Sequence, residues 1–340
     1  MAKTIPIIWV LKSFRAGDNA QALALAQRIG GTVVEKRLAF NRFAILPNWL
    51  TGASLRTLTD EARAVLMAPW PDLVIATGRR TASVALWIKQ QSGGKTKIIQ
   101  IGRPRLPLHL FDLVITTPQY GLPAGPNVVQ LPLPFVLVRK PEATSFHDEW
   151  KHLPRPLIVA VVGGQKFPLR LGETELSKFG IAINRLAKRK NAGVILLSSP
   201  RSPKDALSII SQRVTQPKWL PTQGGANAYG AALVAGDLFC VTSDSVSMVA
   251  EMLATQKPVF VFQLPESKLM PHWHADHGFA AMLAQKGIIS PPRNTAGMME
   301  QLVGQNIVSD LSSEVETAKY LPMNSHFDEA VRRVRLLVGL

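Results

Sequence analysis

Asp237-Leu-Phe-Cys-Val-Thr-Ser-Asp-Ser-Val-Ser-Met-Val-Ala-Glu251, closed by Gln256-Lys-Pro-Val-Phe-Val-Phe262, reads as a buried strand, a polar turn, a short helix and a second buried strand. The turn gathers Thr242, Ser243, Asp244, Ser245 and Ser247 where a helix begins. The first backbone N–H groups of a helix lack intrahelical partners and carry the positive end of its dipole, so such a turn suits an anion. Glu251, further along the same helix, is a carboxylate able to accept hydrogen bonds from a ribose. Helix capping alone explains one Ser or Asp at such a place. Four hydroxyl side chains and an Asp within six positions exceed that need. The strand–turn–helix setting favours a nucleotide held at the carboxyl edge of a parallel sheet.

Length and composition bound the rest. A chain of 340 residues is long enough for two domains. With 46% apolar and 18% charged residues it fits a well-packed α/β protein and not a disordered one. No apolar run approaches the roughly 18 residues of a spanning helix. Ile5–Leu11 is too short and lacks a small-residue cleavage site, so it reads as a first strand and the expected location is cytoplasmic. One cysteine, Cys240 inside an apolar strand, excludes a disulfide framework and a cysteine-rich zinc site. The outlier is charge: 39 Lys+Arg against 23 Asp+Glu, a formal +16. That favours anionic partners. The basic residues are scattered, with modest clusters at Arg185–Lys190 and Arg332–Arg335 and no basic helix with stacking aromatics. An anionic membrane surface and anionic substrates are therefore expected, and nucleic acid is not.

The alternation along the chain is β-loop-α. Strands are expected at 5–11, 32–37, 72–77, 97–101 and 113–116, with helices over 19–29 and 82–91. Gly30-Gly31 closes the first helix. A Pro-rich passage, Leu131-Pro-Leu-Pro134 and then Pro141 to Pro156, separates this half from a second one. There, strands are expected at 157–162, 193–198 and 258–262, besides the one opening the Asp237 stretch, with a helix near 176–190. The last segment reads as a helix from about Asn324. Strands alternating with helices imply parallel sheets covered on both faces, here two facing Rossmann-like domains. The expected division is 1–140, a linker 141–156, 157–322, and a terminal helix 323–340.

Gly17-Asp-Asn-Ala-Gln-Ala-Leu23, Asp72-Leu-Val-Ile-Ala-Thr-Gly-Arg-Arg-Thr81, Asn127-Val-Val129, Thr242-Ser-Asp-Ser-Val-Ser-Met248 and Lys257-Pro-Val259 resemble the mitochondrial-fission protein family, which has plant and many bacterial members. The resemblance spans nearly the whole chain. By wider similarity that family looks like GT-B glycosyltransferases. The resemblance implies a nucleotide-sugar donor in the C-terminal domain, an acceptor on the N-terminal domain, and a final helix crossing back to the first domain. It also implies a metal-independent reaction without a cofactor, the nucleotide sugar being substrate. Two departures stand out. Thr117-Pro-Gln-Tyr120 holds Gln and Tyr where relatives often carry an acidic or His-Asp pair. Ser199-Pro-Arg-Ser-Pro203 keeps one of two arginines found elsewhere in the family.

The candidate donor-phosphate residues are Gly163, Gly164, Gln165, Arg201, Ser243, Asp244, Ser245, Val246 and Ser247, through side chains or amides, with Glu251 on the ribose. Lys166 adds a charge beside the glycine pair. A glycine pair after a strand allows close backbone approach to phosphate, or merely makes a turn. Asp18 is the leading candidate base, although an Asp at a helix start is also a routine N-cap. Lys12, Arg15, Asn19, Arg79 and Arg80 are candidates for an acceptor or other anion. His272-Trp-His274-Ala-Asp-His277 has spacing that does not place three ligands on one helix face, so no metal site is expected. Phe40–Leu50 mixes aromatics, aliphatics and Arg. It fits an interfacial patch, but core packing is the simpler expectation. The expected function is transfer of a sugar from a nucleoside diphosphate to a lipid-linked or envelope glycan at the inner face of a plasma membrane. The alternatives are a non-catalytic adaptor or membrane scaffold on the same fold, and a sugar-nucleotide epimerase.

Overall fold

The computed structural model describes residues 5–136, 147–221, 228–267, 282, 283, 289, 293–313 and 323–340. The chain divides into two compact units: unit 1 is Met1–Leu137, His272–Arg293 and Pro322–Leu340, and unit 2 is Val138–Pro271 and Asn294–Leu321. Each carries one six-stranded sheet, ordered β2-β1-β3-β4-β5-β6 in unit 1 and β12-β11-β10-β7-β8-β9 in unit 2. Every strand pairing within these sheets is parallel. The fold is α/β, as expected. Part of the linker passage, 141–146, lies outside the described residues.

In unit 1, β1 is Ile7–Lys12, β2 Thr32–Arg37, β3 Leu73–Thr77, β4 Lys97–Ile101, β5 Leu113–Thr116 and β6 Val128–Gln130. Alternate residues of a strand face opposite sides. Ile8 and Val10 accordingly join one core with helix α1 (Ala16–Ile29), while Trp9 and Leu11 join another on the far face. Both faces need apolar residues, and so the strands read as continuous apolar runs. The helix Gly78–Gln91 covers the second face with Ala82, Ala85 and Ile88. The C-terminal helix Met323–Leu337 belongs to the first core: Phe327 stacks on Phe135 at 4.6 Å, and Arg335 donates to the carbonyls of Arg28 and Ile29 at 2.9 and 3.0 Å. Those carbonyls end α1, where a cation suits the negative end of the helix dipole.

In unit 2, β7 is Leu157–Val162, β8 Gly193–Ser198, β9 Lys218–Trp219, β10 Leu238–Thr242, β11 Val259–Phe262 and β12 Ser309–Asp310. The helix Glu173–Lys190 packs Leu176, Phe179, Ile183 and Leu186 on one face of this sheet. It is closed by Asn191 in the left-handed conformation, one of the few residues that tolerates it. Cys240 is fully buried in β10, and burial pushes its thiol far above the ordinary range, which makes it an inert core residue.

Strand order fixes where a ligand can sit. Along an open parallel sheet, the crevice opens where successive connections leave toward opposite edges, at the carboxyl ends of the strands. That point lies between β1 and β3 in unit 1 and between β7 and β10 in unit 2. Among the described residues, no helix is long and apolar enough to cross a membrane.

Candidate functional site

At the switch point of unit 2, the turns after β7 and β10 interlock. The Gly163 N–H donates to Thr242 Oγ1 at 2.8 Å, and Thr242 Oγ1 donates to Asp244 Oδ1 at 2.7 Å. The Gly164 N–H donates to Asp244 Oδ2 at 2.9 Å. Asp244 is 1% exposed, and desolvation holds its carboxyl above the ordinary range despite these donors and the nearby Lys166. Both glycines are required by packing. A Cβ on Gly163 would land on the Asp244 carboxyl, and one on Gly164 would meet the Arg201 carbonyl at 2.8 Å.

This geometry corrects part of the residue reading. The close approach permitted by Gly163 and Gly164 is to Asp244 and Arg201, and both amides are spent inside the protein. Asp244 faces inward as a bracket between two turns. Ser243 is 1% exposed, and its hydroxyl accepts from Leu264 N–H at 3.0 Å while its own N–H donates to Phe262 O at 3.0 Å. These residues set the shape of the turn, and their polar groups are committed to it.

What the turn presents is the start of the helix Val246–Leu253. Ser245 is its N-cap, yet the hydroxyl makes no capping hydrogen bond. Inside the helix, the first-turn amides of Val246 and Ser247 have no i−4 acceptor. Ser247 and Glu251 lie four residues apart, hence on one face, and both are half-buried while Val249, Ala250, Met252 and Leu253 are buried. Lys166 extends to the turn, donating to Asp244 O at 3.3 Å and Thr295 Oγ1 at 3.4 Å. Gln165 and Arg201 are exposed beside it, Arg201 held by a backbone bond to Ser199 Oγ at 3.3 Å. Helix amides, the buried Ser245 hydroxyl, the half-buried Ser247 and Glu251, and two cations are what a diphosphate ester of a nucleoside requires.

Unit 1 brings other candidates together at its own switch point. The helix α1 starts at Ala16, so Asp18 lies within its first turn and is not the N-cap; Arg15 holds that position. Asp18 is within 3.9 Å of Arg15 Nη1. A Cβ on Gly78 would stand 3.8 Å from Asp18 Oδ2, which places the carboxylate beside the β3 turn. Asn19 closes the β1 loop: its side chain bonds Ser13 N and Ser13 O at 2.9 and 2.8 Å. Lys12 pairs with Glu35 at 2.6 Å. Arg79 donates to the carbonyls of Leu46 and Ala44 at 2.9 and 2.8 Å, and Arg80 lies over the rings of Phe14 and Phe40. So Lys12 and Asn19 are structural, Arg79 anchors a segment, and Asp18 with Arg15 remains at the crevice.

Two features depart from the expectations. Arg103, Arg105 and Arg293 join Arg15 and Arg79 in one field: burial first, and then the charges of neighbouring arginines, lower the proton affinity of Arg79, Arg103 and Arg105. The signal available in the sequence was Gly102-Arg-Pro-Arg105 directly after a buried strand, the same strand–Gly–Arg pattern as Gly78-Arg-Arg80. The second feature is the 42–50 segment, for which core packing does not hold. Phe43, Ile45, Leu46, Trp49 and Leu50 are exposed, as is Phe14. The histidine segment 272–277 lies outside the described residues; among those described, no group of three or more His, Cys, Asp or Glu is placed to hold a metal.

Comparison with known proteins is consistent with this architecture. The chain is 27% identical over 315 residues to the mitochondrial fission protein ELM1 of Arabidopsis thaliana, covering 84% of this chain and 69% of that protein. Among solved structures it is similar to a UDP-GlcNAc 2-epimerase from Methanocaldococcus jannaschii, with a TM-score of 0.51 at 10% identity over 98% of this chain and all of that one. It is similar as well to a UDP-glucosyltransferase from Polygonum tinctorium, with a TM-score of 0.51 at 10% identity over the full length of both chains. At such identity these likenesses establish the fold, which is GT-B-like. The sequence profile of the family described as mitochondrial fission ELM1 matches residues 16–332. The chain belongs to the mitochondrial fission ELM1 family.

Proposed function

We propose that the protein is a nucleotide-sugar-dependent glycosyltransferase whose donor diphosphate sits on the Ser245 turn of unit 2. The observation that carries this reading is the uncapped start of the helix Val246–Leu253 at the switch point of its sheet, with Glu251 one turn beyond Ser247 on the accessible face. The amides of Val246 and Ser247 and the hydroxyls of Ser245 and Ser247 bind the phosphates, Lys166 and Arg201 add charge, and Glu251 accepts from the ribose. Donors fixed in place before reaction stabilise the negative charge that grows on the leaving diphosphate.

The reaction is a displacement at the anomeric carbon. The acceptor hydroxyl oxygen forms the new bond, the bond from anomeric carbon to phosphate oxygen breaks with its electron pair leaving on the nucleoside diphosphate, and the hydroxyl proton passes to a base. Asp18 is the candidate base, a carboxylate at the switch point of unit 1. The exposed Phe14, Phe43, Ile45, Trp49 and Leu50, with Arg15 and Arg42 beside them, form the surface that would rest on an anionic bilayer, and a lipid-linked glycan is then a suitable acceptor. That apolar patch also favours a second reading, a non-catalytic membrane adaptor on the same scaffold. Incubation with labelled nucleotide sugars and membrane extract separates the two. Release of nucleoside diphosphate with label appearing in lipid supports transfer. Nucleotide binding without release, for every sugar offered, supports the adaptor.

A further inference from the structure

The arginines of unit 1 are assembled from the carboxyl ends of neighbouring strands. Arg15 follows β1, Arg79 and Arg80 follow β3, and Arg103 and Arg105 follow β4. Arg293 comes from a distant part of the chain and lies over the Tyr120 ring at 4.8 Å, just beyond β5. The cluster is built. Asn48, buried, donates to Arg79 O at 2.6 Å and Pro104 O at 2.8 Å, tying two arginine-bearing turns together. The Arg103 guanidinium donates to Tyr120 O. Gly102 takes a φ of +74°, and a Cβ there would stand 3.1 Å from the Tyr120 ring, so this turn needs glycine. Arg105 adopts a φ of +56°, a left-handed conformation that a long side chain rarely takes and that clusters at functional sites.

Burial and like charge act together on these guanidiniums. Desolvation, then the charge of Arg105, lowers Arg103 to about 10; desolvation, then Arg293 and Arg15, lowers Arg105; desolvation, then Arg105, Arg80 and Arg15, lowers Arg79. Arg15 stands 3.9 Å from the Asp18 carboxylate. Several like charges held by a rigid frame at one sheet edge call for a polyanion, and guanidinium forks match phosphate oxygens in pairs.

We infer that unit 1 carries its own binding site for a phosphate- or diphosphate-bearing group, held by Arg105 and Arg293 with Arg103, Arg79 and Arg15 around it. This deepens the proposed function by naming the acceptor's chemistry, while resting on residues separate from the Ser245 turn. The group is a lipid-linked diphosphate or a soluble phosphate ester. The carbonyls of Ala44 and Leu46, bonded by Arg79, put the exposed apolar segment beside the cluster, where a lipid chain would lie.

Calorimetry with inorganic pyrophosphate tests this on the full chain. Saturable binding is expected, weakening with salt. Arg105→Asn, which tolerates the left-handed backbone, and Arg293→Gln should each weaken it about tenfold or more, the worth of one charge-assisted bond. Arg185→Ala, an exposed arginine of unit 2, should leave it unchanged. A second arm sediments the protein with phosphatidylcholine vesicles with and without a polyprenyl diphosphate. Co-sedimentation with the diphosphate-bearing vesicles alone, lost in Arg105→Asn/Arg293→Gln, supports the site with a lipid source. Pyrophosphate binding without sedimentation supports it with a soluble source. Absence of binding in both arms overturns the inference. So does pyrophosphate binding that survives the arginine double variant and is lost in Ser245→Ala. Failure of the donor reading would instead abolish nucleotide binding and leave this arginine dependence intact.

Discussion

Gly163→Ala should destabilise unit 2 far more than an alanine substitution normally does. The new methyl would collide with the carboxyl of Asp244, which has no room to yield: Asp244 is 1% and Thr242 0% exposed, two hydrogen bonds of 2.8 and 2.9 Å hold them to the β7 turn, and a third of 2.7 Å ties them together. Overpacking of this kind costs roughly 1–3 kcal/mol. Displacing the carboxyl also strands a buried N–H, about 1–3 kcal/mol more. Reduced unfolded-state entropy returns only about 0.4–1 kcal/mol. The net is roughly 1–5 kcal/mol, a drop in Tm on the order of 3–15 °C for a domain of this size. Gly304→Ala is the matched control, since nothing lies within 4 Å of its added Cβ. Circular-dichroism melts and urea titrations of both variants read the difference. If Gly163→Ala melts within a degree or two of Gly304→Ala, the Asp244 bracket does not exist as described.

Two further outcomes follow from the same geometry. Asp244 has a folded-state proton affinity above its ordinary value of 3.8, chiefly through desolvation, so the folded protein binds more protons than the unfolded chain between those two values. Its contribution to stability is therefore greatest at low pH, declines as pH rises through the folded value, and is flat beyond. Urea unfolding of wild type and Asp244→Asn across acidic pH should show wild type losing ground to the variant as pH rises; the opposite slope would contradict the desolvated carboxyl. Phe43→Ser with Trp49→Ser should change unfolding free energy little, within about 0.5 kcal/mol per site, since both rings are exposed. Sedimentation with anionic vesicles should fall sharply, and undiminished sedimentation would remove the membrane surface from the proposal.

The fold was legible where burial is strongest. β4, β5, β7 and β8 match the expected runs residue for residue because strands covered on both faces leave an unbroken apolar signature. The edge strand β2 also matches, as a six-residue run, but the other edges were not legible: β6, β9 and β12 are two or three residues long and carry no periodicity to read. Helix starts were placed late in three cases. The helices Ala16–Ile29, Gly78–Gln91 and Glu173–Lys190 open on polar residues such as Asp18, Arg79, Arg80 and Glu175, which lie outside the apolar repeat. In the candidate site, the Ser-rich turn was visible because it is continuous in sequence. Which of its groups face a ligand was not, since Gly163 and Gly164 meet Thr242 and Asp244, and Ser243 meets Phe262 and Leu264, only across strands. The arginine cluster is likewise a product of strand order. Its members look scattered along the chain and become neighbours only when β1, β3, β4 and β5 line up.

Titration of the full chain with UDP and other nucleoside diphosphates, for wild type and for Ser245→Ala with Glu251→Gln, tests the central claim most directly. The account predicts saturable binding of at least one nucleoside diphosphate to wild type, weakened at least tenfold in the double variant, with circular dichroism and melting close to wild type. No binding of any nucleotide, or equal binding by the two proteins, would contradict it.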